Sequence, residues 1–446
     1  MEDYRVIADA VAADIAAGRL RPGDRLPPQR LFARRRGIAA STAGRVYQEL
    51  AKRGLVAGEV GRGTFVRAPG RSPGSALVEP GGSRVDLELN YPVVPGQPAL
   101  LAGSLGGMLR PDVLGSALRP MPAQGTAAAR DAAAGLLARG GWRPDPARVL
   151  FAAGGRQAIA AALAALVPPG ARLGVEALTY PMVKTIAARL GVTLVPLACD
   201  EKGLVPEALA AAHRGAPLRA VYLQPTLHNP LSSTMPAHRR QELAETLGDL
   251  GLHAIEDAVW AFLHAGDQPP LAALAPERTI LLDSLSKRLA PGLTAGFAVT
   301  PAGLAAPMAA ALRSGAWTAT GFALEAAARW TADGTVDAVV RAKREDAAAR
   351  QRLAASALAG FAVRADPHGY YCWWELPRPW HAETFVAAAA RRGIAVTPAA
   401  SFAAGPHGAP AAVRVGLASP PPEVLAGALE ELAALGRSSP EDALTD

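Results

Sequence analysis

Cysteine and long hydrophobic runs are scarce in this sequence, and both absences restrict what the chain can be. Its 446 residues include two cysteines, Cys199 and Cys372, so at most one internal disulfide can form and a reducing compartment is expected. No apolar run approaches the roughly 18 residues needed to cross a bilayer, and the first residues lack the basic and apolar segments of a signal peptide. We therefore expect a cytoplasmic protein without a membrane segment, and no metal site is predicted.

The positive charge of the chain is concentrated at its N-terminus. Residues 1–72 contain 14 lysine and arginine residues against 7 aspartate and glutamate residues, a surplus equal to the net charge of +7 of the whole chain. Residues 73–446 are therefore neutral overall. A basic surplus confined to one segment indicates a local polyanionic partner such as DNA, although a solvated basic surface alone would also produce it.

The pattern of the first 66 residues predicts a helix-turn-helix followed by a wing. Apolar residues at helical spacing predict a helix over residues 4–17, a second from the proline pair at 27–28 to Gly37, and a third from about 40 to 53. Two short apolar strands around a glycine-rich turn follow over residues 55–66. Beyond residue 68 the composition shifts to proline, glycine and serine without periodicity, which is typical of a flexible linker.

Hydroxyl and basic side chains occur where a helix that enters the major groove needs them. Ser41, Thr42 and Arg45 occupy the beginning of the third helix, where base edges and phosphates are contacted. Arg30 in the second helix and Arg62 at the tip of the wing suit phosphate or minor-groove contact. Each residue alone is most simply a solvated charge or hydroxyl, but together they predict a site for double-stranded DNA.

This segment, GDRLPPQRLFARRRGIAASTAGRVYQELAKRGLVAGEVGRGTFV, resembles the GntR family of winged-helix regulators. The resemblance implies that Arg30, Ser41, Thr42, Arg45 and Arg62 contact DNA. Many members of the family carry a basic residue just before the Ser-Thr pair, where this chain has Ala40, so its operator sequence is not predicted.

The rest of the chain alternates short apolar strands with alanine-rich helices. Strands are predicted over residues 148–152, 220–223, 253–255 and 279–282, and a helix over 158–166. Such alternation is typical of an α/β fold with a largely parallel sheet, whose ligands lie at the carboxyl ends of the strands.

Several residues beyond these strands have the chemistry that pyridoxal 5'-phosphate (PLP) needs. Lys287 follows the strand at 279–282 and offers an amine for a Schiff base, while Asp257 ends another strand and offers a carboxylate for the pyridine nitrogen. Asn229 offers an amide to the ring oxygen, and the Gly154–Gln157 turn precedes a helix, as a phosphate site requires. A surface lysine, a turn aspartate and an Asn-Pro turn are the alternatives to each of these readings.

The order and spacing of these residues resemble the fold-type I aminotransferase superfamily over about residues 85–435, with large and small domains. The resemblance implies a covalent bond from Lys287 to PLP, pairing of Asp257 with the pyridine nitrogen, a hydrogen bond from Asn229 to the ring oxygen, and stacking of Tyr180 on the ring. Four further residues would hold the phosphate: Gly155, Arg156, Ser284 and Ser286. Arg414, in the segment Val413-Arg414-Val415-Gly416-Leu417, would bind an effector or substrate carboxylate.

Two positions depart from the superfamily pattern. Trp260 stands where a tyrosine hydroxyl usually meets the ring oxygen, and indole can offer no hydroxyl. Thr294 stands where an arginine usually meets the phosphate, so Arg288 or Arg156 would have to supply the cation. These departures predict weaker cofactor binding and less efficient turnover.

The combination of the two parts resembles the MocR subfamily of GntR regulators. The resemblance implies a winged-helix DNA-binding domain over residues 1–68, a linker over 69–84 and an aminotransferase-like effector and dimerisation domain over 85–446. It also implies a head-to-tail homodimer whose PLP site senses an amino acid, an amine or PLP itself. Two alternatives stay open: an active PLP-dependent aminotransferase, and a cofactor-free dimerisation scaffold on a DNA-binding regulator.

Overall fold

The computed structural model describes residues 4–16, 19–21, 23–52, 55–59, 63–66, 85–405 and 409–440. The wing-tip Arg62 and the predicted linker at 69–84 lie outside the described residues. Among the described residues, no helix is both long enough and apolar enough to span a membrane.

The α-helices within these ranges are α1 Tyr4–Ala16, α2 Gln29–Arg36, α3 Ala40–Lys52, α4 Gln97–Leu105, α5 Pro111–Ala117, α6 Ala127–Leu137, α7 Gly155–Leu166, α8 Pro181–Arg189, α9 Pro206–Gly215, α10 Ala237–Leu250, α11 Leu271–Leu274, α12 Leu285–Arg288, α13 Ala305–Ser314, α14 Gly321–Ala332, α15 Thr335–Ala357, α16 Ala382–Arg391 and α17 Pro422–Arg437. The strands are β1 Arg25–Leu26, β2 Val56–Glu59, β3 Gly63–Val66, β4 Val85–Asp86, β5 Val149–Ala152, β6 Arg172–Glu176, β7 Thr193–Leu197, β8 Cys199–Asp200, β9 Gly203–Leu204, β10 Ala220–Leu223, β11 His253–Asp257, β12 Thr279–Ser284, β13 Gly296–Val299, β14 Ala362–Ala365, β15 Tyr371–Glu375, β16 Ile394–Ala395, β17 Thr397–Pro398 and β18 Ala412–Gly416.

The N-terminal unit is a helix-turn-helix with a small sheet, as the sequence predicts. Gly37 ends α2 in the left-handed conformation at φ +64°, which lets the chain turn sharply into α3. Strands β1, β3 and β2 form a three-stranded antiparallel sheet. Val46 and Leu50 of α3 are buried in the core, and the rings of Phe32 and Tyr47 meet edge to face at 5.3 Å.

A seven-stranded sheet dominates the larger unit, in the order β5-β13-β12-β11-β10-β6-β7. All neighbours are parallel except β13, which is antiparallel to both β12 and β5. The register places Gly296 of β13 between Ala152 of β5 and Ser284 of β12. The predicted, largely parallel sheet is confirmed, and its strands β5, β10 and β12 are buried along their whole length, as strands of helix-covered parallel sheets are.

A second sheet, antiparallel and in the order β14-β15-β18-β17, corresponds to the small domain. Its core includes Trp374, Phe385 and Leu429, so α16 and α17 pack against it. Strand β4 pairs with β16 in parallel register, which anchors the beginning of the larger unit beside the small domain. The small domain thereby carries Arg414 on β18 toward the edge of the large sheet.

Candidate cofactor site and DNA interface

The described DNA-contact candidates lie on α2 and at the beginning of α3. Arg30, Ser41 and Arg45 are exposed, and Thr42 is half-buried. Ser41 and Arg45 are four residues apart and therefore share a face of α3, while Val46 is buried. The exposed start of α3 thus presents a hydroxyl and a guanidinium to solvent, as contact with a DNA groove requires.

A cavity of about 370 Å³ lies at the carboxyl ends of the parallel strands of the large sheet. The structure brings together in its wall every residue that the sequence predicts for the cofactor and the effector. These residues are Gly155, Arg156, Tyr180, Asn229, Asp257, Ser284, Ser286, Lys287 and Arg414.

Lys287 lies on the short helix α12, directly after the central strand β12. Its Nζ donates a hydrogen bond to the carbonyl oxygen of Asn90 at 2.5 Å and lies 4.6 Å from the ring centre of Tyr91 and 5.1 Å from that of Trp260. Burial lowers the pKa of Lys287 to about 7, with further lowering by nearby cations, of which Arg156 contributes most. A large fraction of this amine is therefore neutral near pH 7, which nucleophilic attack on an aldehyde requires.

Asp257 is buried at the end of β11 and is held by three donors. The hydroxyl of Tyr222 donates to it at 2.6 Å, the amide of Gln224 at 3.1 Å and the backbone N–H of Val259 at 3.1 Å. Burial raises the pKa of Asp257 to about 6, although the hydrogen bond from Tyr222 opposes the rise. Asp257 is thus mostly ionised at pH 7 and fixed in orientation, as a partner for a protonated pyridine nitrogen must be.

The beginning of α7 and the beginning of α12 face each other across one end of the cavity. Gly155 is the first residue of α7, and a Cβ built on it would lie 3.3 Å from the Oγ of Ser284. Ser284 accepts a hydrogen bond from the N–H of Ser286, whose hydroxyl bonds to that of Thr294. A helix N-terminus with adjacent hydroxyls is suited to an anion such as phosphate.

Of the two arginines that could replace the missing phosphate cation, only Arg156 lines this cavity. Its Nε donates to the hydroxyl of Tyr180 at 3.4 Å. Arg288 instead donates to the buried carboxylate of Asp283 at 2.6 Å and is not in the wall of the cavity. Thr294 does line it, beside the beginning of α7.

Arg414 is buried and partly paired. Its Nη1 donates to the Oδ1 of Asn229 at 3.1 Å, and its Nη2 donates to Thr397 at 3.2 Å and to the carbonyl oxygen of Glu88. Within the described part of the chain, its buried Nε has no hydrogen-bond partner. A buried, unpaired guanidinium N–H is costly unless a ligand accepts from it, so Arg414 fits a carboxylate in the cavity.

Trp260 is buried in the wall of the cavity and is surrounded by other aromatic rings. The ring of Tyr371 lies 5.7 Å away, but its hydroxyl donates to the carbonyl oxygen of Leu227. The hydroxyl of Tyr222 is bonded to Asp257. Neither of these two tyrosines therefore replaces the hydroxyl that Trp260 lacks.

Sequence reasoning missed several residues that shape this site. Asn90 and Tyr91 come from an irregular segment nearly 200 residues before Lys287, and no periodicity marks them. Tyr222 and Gln224, which donate to Asp257, belong to no motif that the sequence marks. Lys343 of α15 is fully buried and donates to the carbonyl oxygen of Lys287 at 2.8 Å. The sequence signal that could have singled out Lys343 is that lysine is rare, since the chain has only five lysines.

The cavity fits PLP by its donor set and its unpaired atoms. The Nε of Arg414 and the Nδ2 of Asn90 are buried and find no partner among the described residues, although both residues line the cavity. An amine, a buried carboxylate and a glycine-led helix start all line the cavity. These groups match the aldehyde, the pyridine nitrogen and the phosphate of PLP.

Fold and site together define an aminotransferase-type cofactor domain joined to a helix-turn-helix DNA-binding unit. Residues 115–432 match the family model for aminotransferase class I and II, and residues 3–66 match that for bacterial regulatory proteins of the gntR family. The HTH-type transcriptional regulator YdeF of Bacillus subtilis is 32% identical over 94% of this chain and 90% of its own length. The chain belongs to the MocR subfamily of GntR transcriptional regulators, in which these two domains are fused.

Two further relatives carry a functional name. PdxR of Corynebacterium glutamicum, named as a pyridoxine biosynthesis transcriptional regulator, is 30% identical over 64% of this chain and 63% of its own. PtsJ of Salmonella typhimurium, named as a vitamin B6 salvage pathway transcriptional repressor, is 26% identical over 89% of this chain and 90% of its own.

Solved structures agree with the fold. The N-succinyldiaminopimelate aminotransferase of Mycobacterium tuberculosis superposes with a TM-score of 0.68 at 28% identity, covering 81% of this chain and 95% of its own. An archaeal alanine:glyoxylate aminotransferase reaches a TM-score of 0.73 at 21% identity, covering 82% and 93%. The aminotransferase class I and II fold and the relatives named for vitamin B6 regulation together indicate that this protein binds PLP.

Proposed function

We propose that this transcription regulator holds PLP covalently at Lys287 and senses an amino acid or amine in the same cavity. The observation that carries the proposal is the convergence of nine predicted residues, from elements spread over 260 positions, on the wall of one cavity. Bound PLP supplies an aldehyde that bonds to amines and a ring that accepts electrons.

The contacts of the site support a distinct role for each residue. Lys287 offers a largely neutral amine. Asp257 is a buried, mostly ionised carboxylate that accepts three hydrogen bonds. Asn229, already fixed by Arg414, would hydrogen-bond the ring oxygen, and Tyr180 would stack on the ring. The phosphate would be held by Gly155, Arg156, Ser284 and Ser286. Arg414 would bind the carboxylate of the effector through its unpaired Nε.

Sensing requires that the effector bind differently to two arrangements of the protein. We expect a head-to-tail homodimer, in which occupancy of the cavity changes the position of the winged helices on double-stranded DNA. In the DNA-binding domain, Arg30, Ser41, Thr42, Arg45 and Arg62 would contact the operator. A cytoplasmic location follows from this role.

Absorbance and DNA binding test the proposal together. The purified protein with added PLP should show a visible absorbance band that Lys287→Ala abolishes, and candidate amino acids should shift the band in the wild type. The same amino acids should change the affinity for promoter DNA in the wild type but leave that of Lys287→Ala unchanged. A wild-type protein without the band would favour the cofactor-free scaffold.

The second candidate is an active aminotransferase, and the lowered pKa of Lys287 favours it. Once freed from the cofactor, an amine with a pKa of about 7 can accept a proton from a substrate carbon near neutral pH. Sustained production of a keto acid from an amino acid would support the enzyme. A single turnover followed by a change in DNA binding would support the sensor.

A further inference from the structure

A second cavity, of about 210 Å³, is lined by three arginines from distant parts of the chain. Arg139 follows α6, Arg288 ends α12 and Arg344 lies within α15. We call this space the arginine cavity. It shares one residue, Asp283, with the wall of the cofactor cavity.

Only one of the three guanidinium groups is paired with a carboxylate among the described residues. Arg288 donates to Asp283 through Nε at 3.2 Å and Nη2 at 2.6 Å. Arg139 donates to the carbonyl oxygens of Gln268 at 3.1 Å and Gly266 at 3.4 Å. Arg344 donates to the carbonyl oxygen of Phe262, at 2.8 Å through Nε. The hydrogen bonds of Arg139 and Arg344 thus go to neutral carbonyl oxygens.

The charge of Arg288 acts on both of the other guanidinium groups. Burial lowers the pKa of Arg139 and of Arg344, and the charge of Arg288 lowers both further. The carboxylates of Glu256, Asp283 and Asp267 oppose this lowering at Arg139, and that of Asp337 opposes it at Arg344. The remaining acid in the wall, Asp267, is exposed and accepts the backbone N–H of Gly140 at 2.5 Å. The wall therefore holds three arginines against two carboxylates, Asp283 and Asp267. Partly buried charge is unfavourable without enough counter-charge, so an anion would balance the remaining positive charge.

Each guanidinium also keeps a nitrogen available for a ligand. Arg139, Arg288 and Arg344 each donate through Nε and Nη2, and no partner is bonded to the Nη1 of any of the three in the described part of the chain. The face of the Phe262 ring lies 5.2 Å from the Arg288 guanidinium and helps to hold it in place. Three guanidinium groups held in the wall of one cavity suit an oxyanion with several acceptor atoms.

We propose that the arginine cavity binds a small anion that carries a phosphate or carboxylate group, and that this anion acts on the cofactor site through Asp283. The anion would compete with Asp283 for Arg288, the neighbour of Lys287 on α12. The protein would then receive a second signal besides its amine effector. The binding site itself is independent of the function proposed above, and only the coupling to Lys287 rests on it.

Calorimetric titration of the full-length, PLP-loaded protein tests the site with inorganic phosphate as the probe and malonate in a parallel series. Chloride keeps the ionic strength constant. One phosphate per chain should bind, and Arg139→Gln and Arg344→Gln should each weaken binding by about 10- to 150-fold, the effect of one charged hydrogen bond. Arg143→Gln is the matched control, because Arg143 is exposed and lies outside the cavity. Stronger binding of phosphate than of malonate would assign a phosphorylated ligand, and the reverse a dicarboxylate.

The lysine variants Arg139→Lys and Arg344→Lys control for folding, since they keep the charge. They should retain the wild-type melting temperature and at least part of the affinity. Equal phosphate affinity in wild type, Arg139→Gln and Arg344→Gln, or no binding of either probe to the loaded protein, would overturn the site. Binding without a shift of the visible PLP band would overturn the coupling. A protein that fails to load PLP would show no band, yet phosphate binding would still depend on Arg139 and Arg344.

Discussion

Arg156→Gln is the sharpest test of how this chain holds a phosphate without the usual arginine. Thr294 occupies the position of that arginine and Arg288 is bonded to Asp283, so Arg156 is the guanidinium left in the wall beside the beginning of α7. Its hydrogen bond to Tyr180, at 3.4 Å, is long, and its other partner is the phenol of Tyr91. Both partners are uncharged side chains, so the loss of the positive charge should act mainly on an anionic ligand.

The expected magnitude follows from the loss of one charged hydrogen bond to phosphate. Such a bond contributes about 1.5–3 kcal/mol, so the affinity for PLP should fall by about 10- to 150-fold. Titration of the cofactor-free protein with PLP, followed by the visible band, measures this ratio. Arg189→Gln, an exposed arginine on α8, serves as the control and should bind as the wild type does.

A compensating substitution makes the test stricter. Adding Thr294→Arg to Arg156→Gln restores a cation at the position that the superfamily uses and should recover most of the lost affinity. Unchanged PLP affinity in Arg156→Gln would refute the reasoning, because it would place the phosphate away from α7.

Three more predictions concern the lysine, the tryptophan and the DNA-binding helix. Because only the neutral amine attacks an aldehyde and the pKa of Lys287 is lowered to about 7, the rate of PLP incorporation should rise up to about pH 7 and level off above it. A rate that climbs steadily to pH 9 would contradict this, since it is the behaviour of an ordinary lysine. Trp260→Tyr should raise the rate of the half-reaction with an amino acid by about tenfold, measured by stopped-flow absorbance, because it restores a hydroxyl for the ring oxygen. An unchanged rate would show that the indole is not what limits turnover. Arg45→Ala should reduce the slope of log affinity against log salt by about 0.9 in a promoter-binding assay, and a slope equal to that of Arg189→Ala would remove Arg45 from the interface.

The fold was predictable from the sequence because its signals are local. Helix α2 ends at Gly37 as predicted, since the positive φ there favours glycine, and strand β10 has the predicted bounds. The predicted helix over 158–166 begins three residues earlier, at Gly155, because the glycine turn is itself the first turn of the helix. Apolar periodicity does not extend into a polar, glycine-led first turn, so such a boundary is missed.

The site was predictable only where resemblance marked it. The nine residues carried over from the superfamily all reach one cavity, but the partners that adjust them do not follow from spacing. Lys343 lies in the middle of α15, where a lysine is ordinarily exposed, and it is buried because α15 packs against α12, which carries Lys287. Arg288 was a candidate for the phosphate, yet adjacent residues of a helix point about 100° apart, so it faces away from the side that Lys287 faces.

A single substitution in the antiparallel strand β13 could abolish ligand binding by this regulator. Gly296 stands in the sheet between the strands that lead to α7 and to α12, and a methyl group on it would come within 2.5 Å of the carbonyl oxygen of Gly154. One added carbon, at a residue outside the wall of the cavity, would push the phosphate end open while every side chain of the cavity stayed intact. Such a protein would retain every residue of the site and still fail to bind the ligand that regulates it.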